Sequence, residues 1–314
     1  MTGGNEVCFV HLSDPHLTAL PPLWGQVRDL LLTTGPEPNR IKRRLSHLSW
    51  QRRRRFEHRR EVLDVLMAHI SEAAPTQILL SGDLTHIGLE QEFREAADWL
   101  RSVAPARDLA LVPGNHDATA DDSRRYQHAY WADYLRGDDG SDSWPSLRVR
   151  AGIAFIGLDT AVVTPPLLAT GRIGEPQRQR LERMLRDCQR DGLFRVVTLH
   201  HCPLPGIDKW RKRLVDAGPL KQILMQTGVE LVLHGHGHRH HQHPLATCSG
   251  TARVIAAPSA SARGLHGKDR AAYNAFTLRQ LQDGRRELRC ARWGLNATED
   301  AVTLLEEARW RYGA

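Results

Sequence analysis

The sequence predicts a layered α/β sandwich with mixed sheets, on two observations. Through the first half, short apolar runs alternate with amphipathic helical stretches, and from residue 242 to 293 the pattern turns to strands and turns. In order, residues 7–12 (VCFVHL) form a buried strand. Residues 59–73 carry apolar side chains at 62, 65, 66 and 70, a helical period. A strand at 77–81, a helix at 89–103 and a strand at 109–112 follow, the last ending on Pro113-Gly114, a turn signal. A helix covers 123–135, and strands recur at 147–150 and 153–158. Then come a helix over 176–190, a strand at 194–199, a helix near 211–226 and a strand at 231–234. Gly250 and Asp283-Gly284 mark turns in the strand-rich part, and a short helix is expected at about 299–310.

With 314 residues, 41% hydrophobic and 25% charged, the chain has the composition of a globular protein with a sizeable core. It is taken as one domain, 1–314. No apolar run approaches the ~18–20 residues that a membrane helix needs. The N-terminus lacks a basic stretch followed by an apolar one, so no secretory signal is expected. Five scattered cysteines with no CxxC pair fit a reducing cytoplasm. The formal charge is +7, and much of the excess is local. Ten Lys or Arg residues and a single acid, Glu57, lie between Arg40 and Arg60. Residues 18–58, with Pro21, Pro22, Pro36 and Pro38 as breakers, read as a helical basic insertion.

Five polar segments stand out: Asp14-Pro15-His16, Gly82-Asp83, Gly114-Asn115-His116-Asp117, His200-His201 and Gly235-His236-Gly237-His238. Each directly follows an apolar run (CFVHLS, QILLS, LALVP, RVVTL, ELVLH), which puts it at the carboxyl end of a strand, the edge where α/β sheets bind ligands. Asp, Asn and His offer oxygen and imidazole nitrogen without a thiolate, a set suited to Mn, Fe, Zn or a similar divalent ion. Asp14, His16, Asp83, Asn115, His200, His236 and His238 are too many donors for one ion. They suit two ions that share a carboxylate, an arrangement that clamps the attacking and leaving oxygens of an in-line displacement. Any one segment alone has a bland reading, such as a turn or a helix cap. Five in this order, each at a strand end, do not.

The order D-x-H, G-D, G-N-H-D, H, G-H-x-H resembles the calcineurin-like metallophosphoesterase superfamily, over residues 14–238. Gly82-Asp83-Leu84-Thr85 followed by Glu92-Phe93 and Trp99-Leu100 is similar to bacterial members related to cyclic-nucleotide phosphodiesterases, with His86 where many of those carry Asn. The resemblance implies a four-layer αββα sandwich of two mixed sheets with the metals at the sheet edges. It implies that Asp14, His16, Asp83 and His238 hold one ion, and that Asp83, Asn115, His200 and His236 hold the other. His116 would then sit beside the substrate and protonate the leaving oxygen, with Asp117 orienting it. The implied activity is hydrolysis of a phosphate monoester or diester by a water made acidic by the two ions.

Other residues are weaker signals. His201, His11 and His234 read as packing groups beside the site, and Cys202 as no nucleophile. His240, His241 and His243 read as a solvated turn, with a third metal site as the sharper alternative. The basic insertion could be a cap over the site. Its Arg residues are interleaved with Leu23, Trp24, Leu30, Leu31, Leu45, Leu48 and Trp50. A solvated helix pair is the bland reading. Docking at an anionic membrane through residues 40–60, for a lipid-linked substrate, ranks above nucleic acid because of the two Trp and the Leu residues. The functions weighed are a small-molecule phosphoesterase, a nucleotide-lipid hydrolase peripheral to the inner membrane surface, a nuclease, and a silent metal-bound scaffold. The complete donor set argues against the last.

Overall fold

The structure, a computed structural model, describes residues 6–17, 20 and 37–313. Its strands are β1 (Val7–Leu12), β2 (Gln77–Leu80), β3 (Leu109–Leu111), β4 (Ser146–Arg150), β5 (Ile153–Gly157), β6 (Phe194–Thr198), β7 (Leu231–His234), β8 (His241–Thr247), β9 (Gly250–Ala256), β10 (Ala272–Gln280), β11 (Arg286–Leu295) and β12 (Val302–Tyr312). Its helices are α1 (Glu37–Ser49), α2 (Arg60–Glu72), α3 (Glu90–Val103), α4 (Ser123–Leu135), α5 (Glu175–Arg190) and α6 (Ala217–Thr227). A π-helical turn, Trp50–Arg54, continues α1.

Two six-stranded mixed sheets form, ordered β12-β11-β10-β1-β2-β3 and β4-β5-β6-β7-β9-β8. The strands at their centres read as unbroken apolar runs because both faces are buried. In β1, Phe9 faces the second sheet while Val10 and Leu12 face the helices. In β6, Phe194 and Val196 turn inward and Val197 outward, and β7 repeats this with Leu231 and Leu233 against Val232. The core between the sheets packs Phe9 against Phe155 and Phe276 at centroid distances of 5.2 and 5.0 Å. Helices α2, α3 and α4 cover the first sheet through Leu66, Phe93, Trp99 and Trp131, and α5 and α6 cover the second through Leu181, Leu185, Leu220 and Leu224. The layers run helix, sheet, sheet, helix, as expected.

Two expectations fail. Residues 299–310 are not helical, since Val302–Tyr312 is strand β12. Its β-branched and aromatic residues pair antiparallel with β11, and Glu306 and Glu307 meet Arg292 and Arg289 across the ladder. The helix expected from 211 starts at Ala217, because the backbone of 211–215 bonds instead to Ala169 and Gly171, and the Asp216 carboxylate is engaged beside them. It accepts the N–H groups of Ile173 and Gly174, and Gly218-Pro219 follows as a natural first turn.

Residues 21–36, with Leu23, Trp24, Leu30 and Leu31, lie outside the described residues. The rest of the basic insertion packs on the body of the protein and is not a freely solvated pair. Arg43 is buried and donates to Gly88 O (2.9 Å) and Asp122 (2.6 Å), Lys42 reaches Thr164 Oγ1 (3.0 Å), and Trp50 is buried with Ile87 and Leu89. The buried Glu57 carboxylate accepts the N–H groups of Gly264 and Leu265 (3.2 Å each). Arg52, Arg53 and Arg55 remain exposed. No helix among the described residues is long and apolar enough to cross a membrane.

Candidate metal centre

Strands β1, β2 and β3 run parallel, as do β6 and β7, so the residues after them gather at one rim of the sandwich. The loops meet there closely enough to demand glycine. A Cβ on Gly114 would lie 2.2 Å from Asp83 Oδ1. One on Gly235 would lie 1.7 Å from Ser13 Oγ, across the seam between the sheets. Asp14, His16, Asp83, His236 and His238 all adopt positive φ, between 43° and 67°. Such backbone costs on the order of 1–3 kcal/mol per residue and survives where the surroundings over-determine it, as at functional sites. The Asp14 and His16 amides donate to Gly82 O and Asp83 O, which supports the turn.

The donors converge in two groups. Asp14, His16, Asp83 and His238 each offer an atom within 4.8 Å of the others, and so do Asp83, His200 and His236. Asp83 belongs to both. Asn115 Oδ1 lies 3.2 Å from His200 Nε2, which is itself 3.4 Å from Asp83 Oδ2. His16 Nδ1 donates to Thr85 O (3.0 Å) and His200 Nδ1 to Ser81 O (2.6 Å), which leaves Nε2 as the donor atom of each ring. Burial opposes the ionisation of Asp14, but His238 and His200 outweigh it and hold the carboxyl well below its usual range. Burial also opposes charge on His200, yet Asp83 and Asp14 push its pKa up to about 9. Burial and neighbouring imidazoles push His16 and His236 down, toward the neutral ligand form. The cluster therefore calls for positive charge at its centre. Asp14 Oδ1 lies 3.0 Å from His238 Nε2, and His236 Nε2 is buried without a hydrogen-bond partner. An orphaned imidazole nitrogen among carboxylates and neutral imidazoles fits divalent cations.

His116 lies beside this cluster and lines the same cavity, but Asp117 does not orient it. His116 Nδ1 donates to His86 O (2.6 Å), with Arg54 Nη1 3.2 Å away. Asp117 instead accepts from the backbone of Asp83 (2.8 Å), Leu84, Thr85 (3.0 Å each) and Gly114 (2.9 Å), and from the Thr85 hydroxyl. Burial and the Asp83 carboxylate push its pKa up, while the N–H donors push it back. The chain reverses so tightly after β3 that Asp117 turns under the Asp83 loop rather than toward the ring before it. Glu92 does the same for the next turn, accepting from His86 (2.5 Å), Ile87 (3.1 Å) and Leu89 (2.9 Å). In Asp117→Asn an amide NH2 must face two backbone N–H groups that lose their acceptor, at about 1–3 kcal/mol each. Denaturant unfolding should show that loss of stability. Unchanged stability would mean that the carboxylate does not hold the loop.

The cavity over the cluster has a volume of about 630 Å³, and its cations are Arg54, Lys209, Lys212, Arg239 and Lys268. Asp208, Lys209, Lys212, Arg239 and Lys268 escaped the sequence reading, and so did two residues of the basic insertion, Arg54 and His58. Arg54 ends the π-helical turn, one turn before His58. His58 brings a ring nitrogen within 4.8 Å of donor atoms on His16 and His238, and its Nδ1 bonds Ser261 Oγ (3.0 Å). Both sit in an arginine run that offers no spacing signal. His201 is a packing group, with its ring nitrogens bonded to Thr160 Oγ1 (2.7 Å) and Ala169 O (3.3 Å).

A family model described as calcineurin-like phosphoesterase matches residues 9–240. Among solved structures, the chain is similar to a dimetal phosphatase from Danio rerio, with TM-score 0.61 and 15% identity over 98% of this chain and 99% of that one. It is also similar to a purple acid phosphatase from yellow lupin (Lupinus luteus), with TM-score 0.56 and 11% identity. That match covers 98% of this chain and 54% of the lupin protein, so the chain spans about half of that protein's length. No curated protein matches the chain.

Proposed function

The chain belongs to the calcineurin-like phosphoesterase family and is a metal-dependent hydrolase of phosphoric esters, and from that premise we propose that it works through two divalent cations (Mn, Fe or Zn) sharing Asp83. Asp14, His16, Asp83 and His238 hold one ion, and Asp83, Asn115, His200 and His236 hold the other. The observation that carries this is the Asp83 carboxylate, which belongs to both groups of converging donors. When bound, the pair supplies an acidified water as nucleophile and Lewis acidity at the phosphoryl oxygens.

The protein's own groups do the rest. Arg54, Lys212 and Lys268 draw a phosphate into the cavity and oppose charge growing on its oxygens. His116, held through Nδ1, keeps Nε2 for the substrate. Burial and then Arg54 push its pKa down, and the negative charge of a bound phosphate restores its second proton. From there the ring protonates the leaving oxygen. Asp117 acts indirectly by fixing the loop that carries Asp83.

A small-molecule phosphate ester meets these requirements. A second reading, a lipid-linked phosphate taken from an anionic membrane surface, has its own support. Ile41, Leu45 and Leu48 lie exposed along one face of α1. Leu45 also lines a smaller cavity of about 220 Å³ with Leu167, Leu168 and Lys42, which shares Arg54, Asn115 and His116 with the main one. Exposed Arg52, Arg53 and Arg55 lie just beyond. Apolar side chains beside a phosphate pocket suit an acyl chain and have no use on a nucleic-acid backbone, so a nuclease is the weaker alternative.

With Mn²⁺ the protein should hydrolyse a chromogenic phosphodiester or monoester. A panel of cyclic nucleotides, dinucleotides, glycerophosphodiesters and nucleotide-linked lipids then ranks the substrates. Sedimentation with anionic and neutral vesicles separates the two readings. Binding to anionic vesicles that fades with salt supports the lipid reading, and indifference to them removes it.

A further inference from the structure

Away from the proposed ion pair, a third group of donors converges where the loop after β6 meets the ends of β7 and β8. Cys202, His234 and His241 each offer a ligand atom within 4.8 Å of the other two. Cys202 and His234 are buried and His241 is half-buried. His234 Nδ1 meets Gly235 O (3.2 Å), while His234 Nε2 and His241 Nδ1 are buried without a hydrogen-bond partner. The Cys202 sulfur makes one long contact, 3.9 Å to Leu204 O. The His243 ring follows, 5.0 Å from that of His241.

Two orphaned imidazole nitrogens facing a thiol are costly in a folded core unless something satisfies them. A thiolate with two imidazoles is a softer donor set than the oxygen and nitrogen of the main site, and it selects Zn²⁺ over Mn²⁺. We propose that Cys202, His234 and His241 form a separate zinc site. The thiol proton leaves to solvent as the Zn–S bond forms. The location gives the site a purpose. His234 and His241 bracket the turn that presents His236 and His238, both at positive φ. A cation that ties the two ends of that turn to Cys202 would fix it from behind.

Cobalt in place of zinc tests this, because none of the donors in the main site is sulfur. Metal-stripped full-length protein titrated with Co²⁺ should develop a near-ultraviolet thiolate-to-cobalt charge-transfer band. Cys202→Ser should lose that band and bind one Zn²⁺ fewer per chain. His241→Asn, at a half-buried position, should lose both as well, with circular dichroism confirming that it folds. Absence of the band in wild type at saturating Co²⁺ overturns the site, as does a band that survives in Cys202→Ser. A band that survives in His241→Asn overturns the three-donor assignment. If the main pair is misassigned, the band still appears, so the two failures are distinguishable.

Discussion

Asp83→Ala should leave a chain that hydrolyses no phosphate ester above background in Mn²⁺ and retains neither ion of the pair after dialysis. Its carboxylate is the one donor common to both groups, and its Oδ1 also accepts the His116 N–H (2.7 Å). Its removal therefore costs more than the roughly 10²–10³-fold that follows loss of a single transition-state donor. Asp208 supplies the control. It lines the same cavity but joins no donor group, so Asp208→Ala should keep its metal. Elemental analysis beside the rate assay decides the matter, and an Asp83→Ala protein with full metal and full activity would end the two-ion account.

His116→Ala should behave differently. Metal content should stay at the wild-type level, because His116 joins no group of converging donors. The rate constant kcat should fall by roughly 10²–10⁴-fold, the scale of a positioned acid. The loss should be larger for substrates with a poor leaving group, where protonation of the departing oxygen matters most. If metal is lost along with activity, His116 is a ligand instead. If a nitrophenolate and an alkoxide leaving group suffer equally, the ring is not the proton donor.

Much of this centre was legible in the sequence, for a physical reason. A strand buried on both faces writes itself as an apolar run, and the polar residue that ends the run must lie at the sheet rim. Asp14, Asp83, Asn115, His200 and His236 announced themselves that way. What misled was chemistry set by contacts distant in sequence. Asp117 follows His116 in the chain, yet its carboxylate turns to the Asp83 loop 34 positions earlier. Arg54 and His58 carry no periodic or spacing signal, since their neighbours are also cationic, and only the packing of Arg43, Trp50 and Glu57 brings them to the cavity. The C-terminal segment failed because Leu304, Leu305 and the charges around them satisfy a helical pattern as readily as a strand. The β11 ladder decided between the two. Residues 21–36 of the insertion, with Leu23, Trp24, Leu30 and Leu31, lie outside the described residues.

The placement of the proposed donors across two sheets has a bearing on how the protein is made. Asp14, Asp83 and Asn115 follow strands of one sheet and His200, His236 and His238 follow strands of the other, while β10, β11 and β12, which complete the first sheet beside β1, are translated last. A nascent chain that has finished the first three donor segments can grip no pair of cations. Hydrolytic power thus arrives late, once both sets of donor segments exist and β10 has returned to pair with β1.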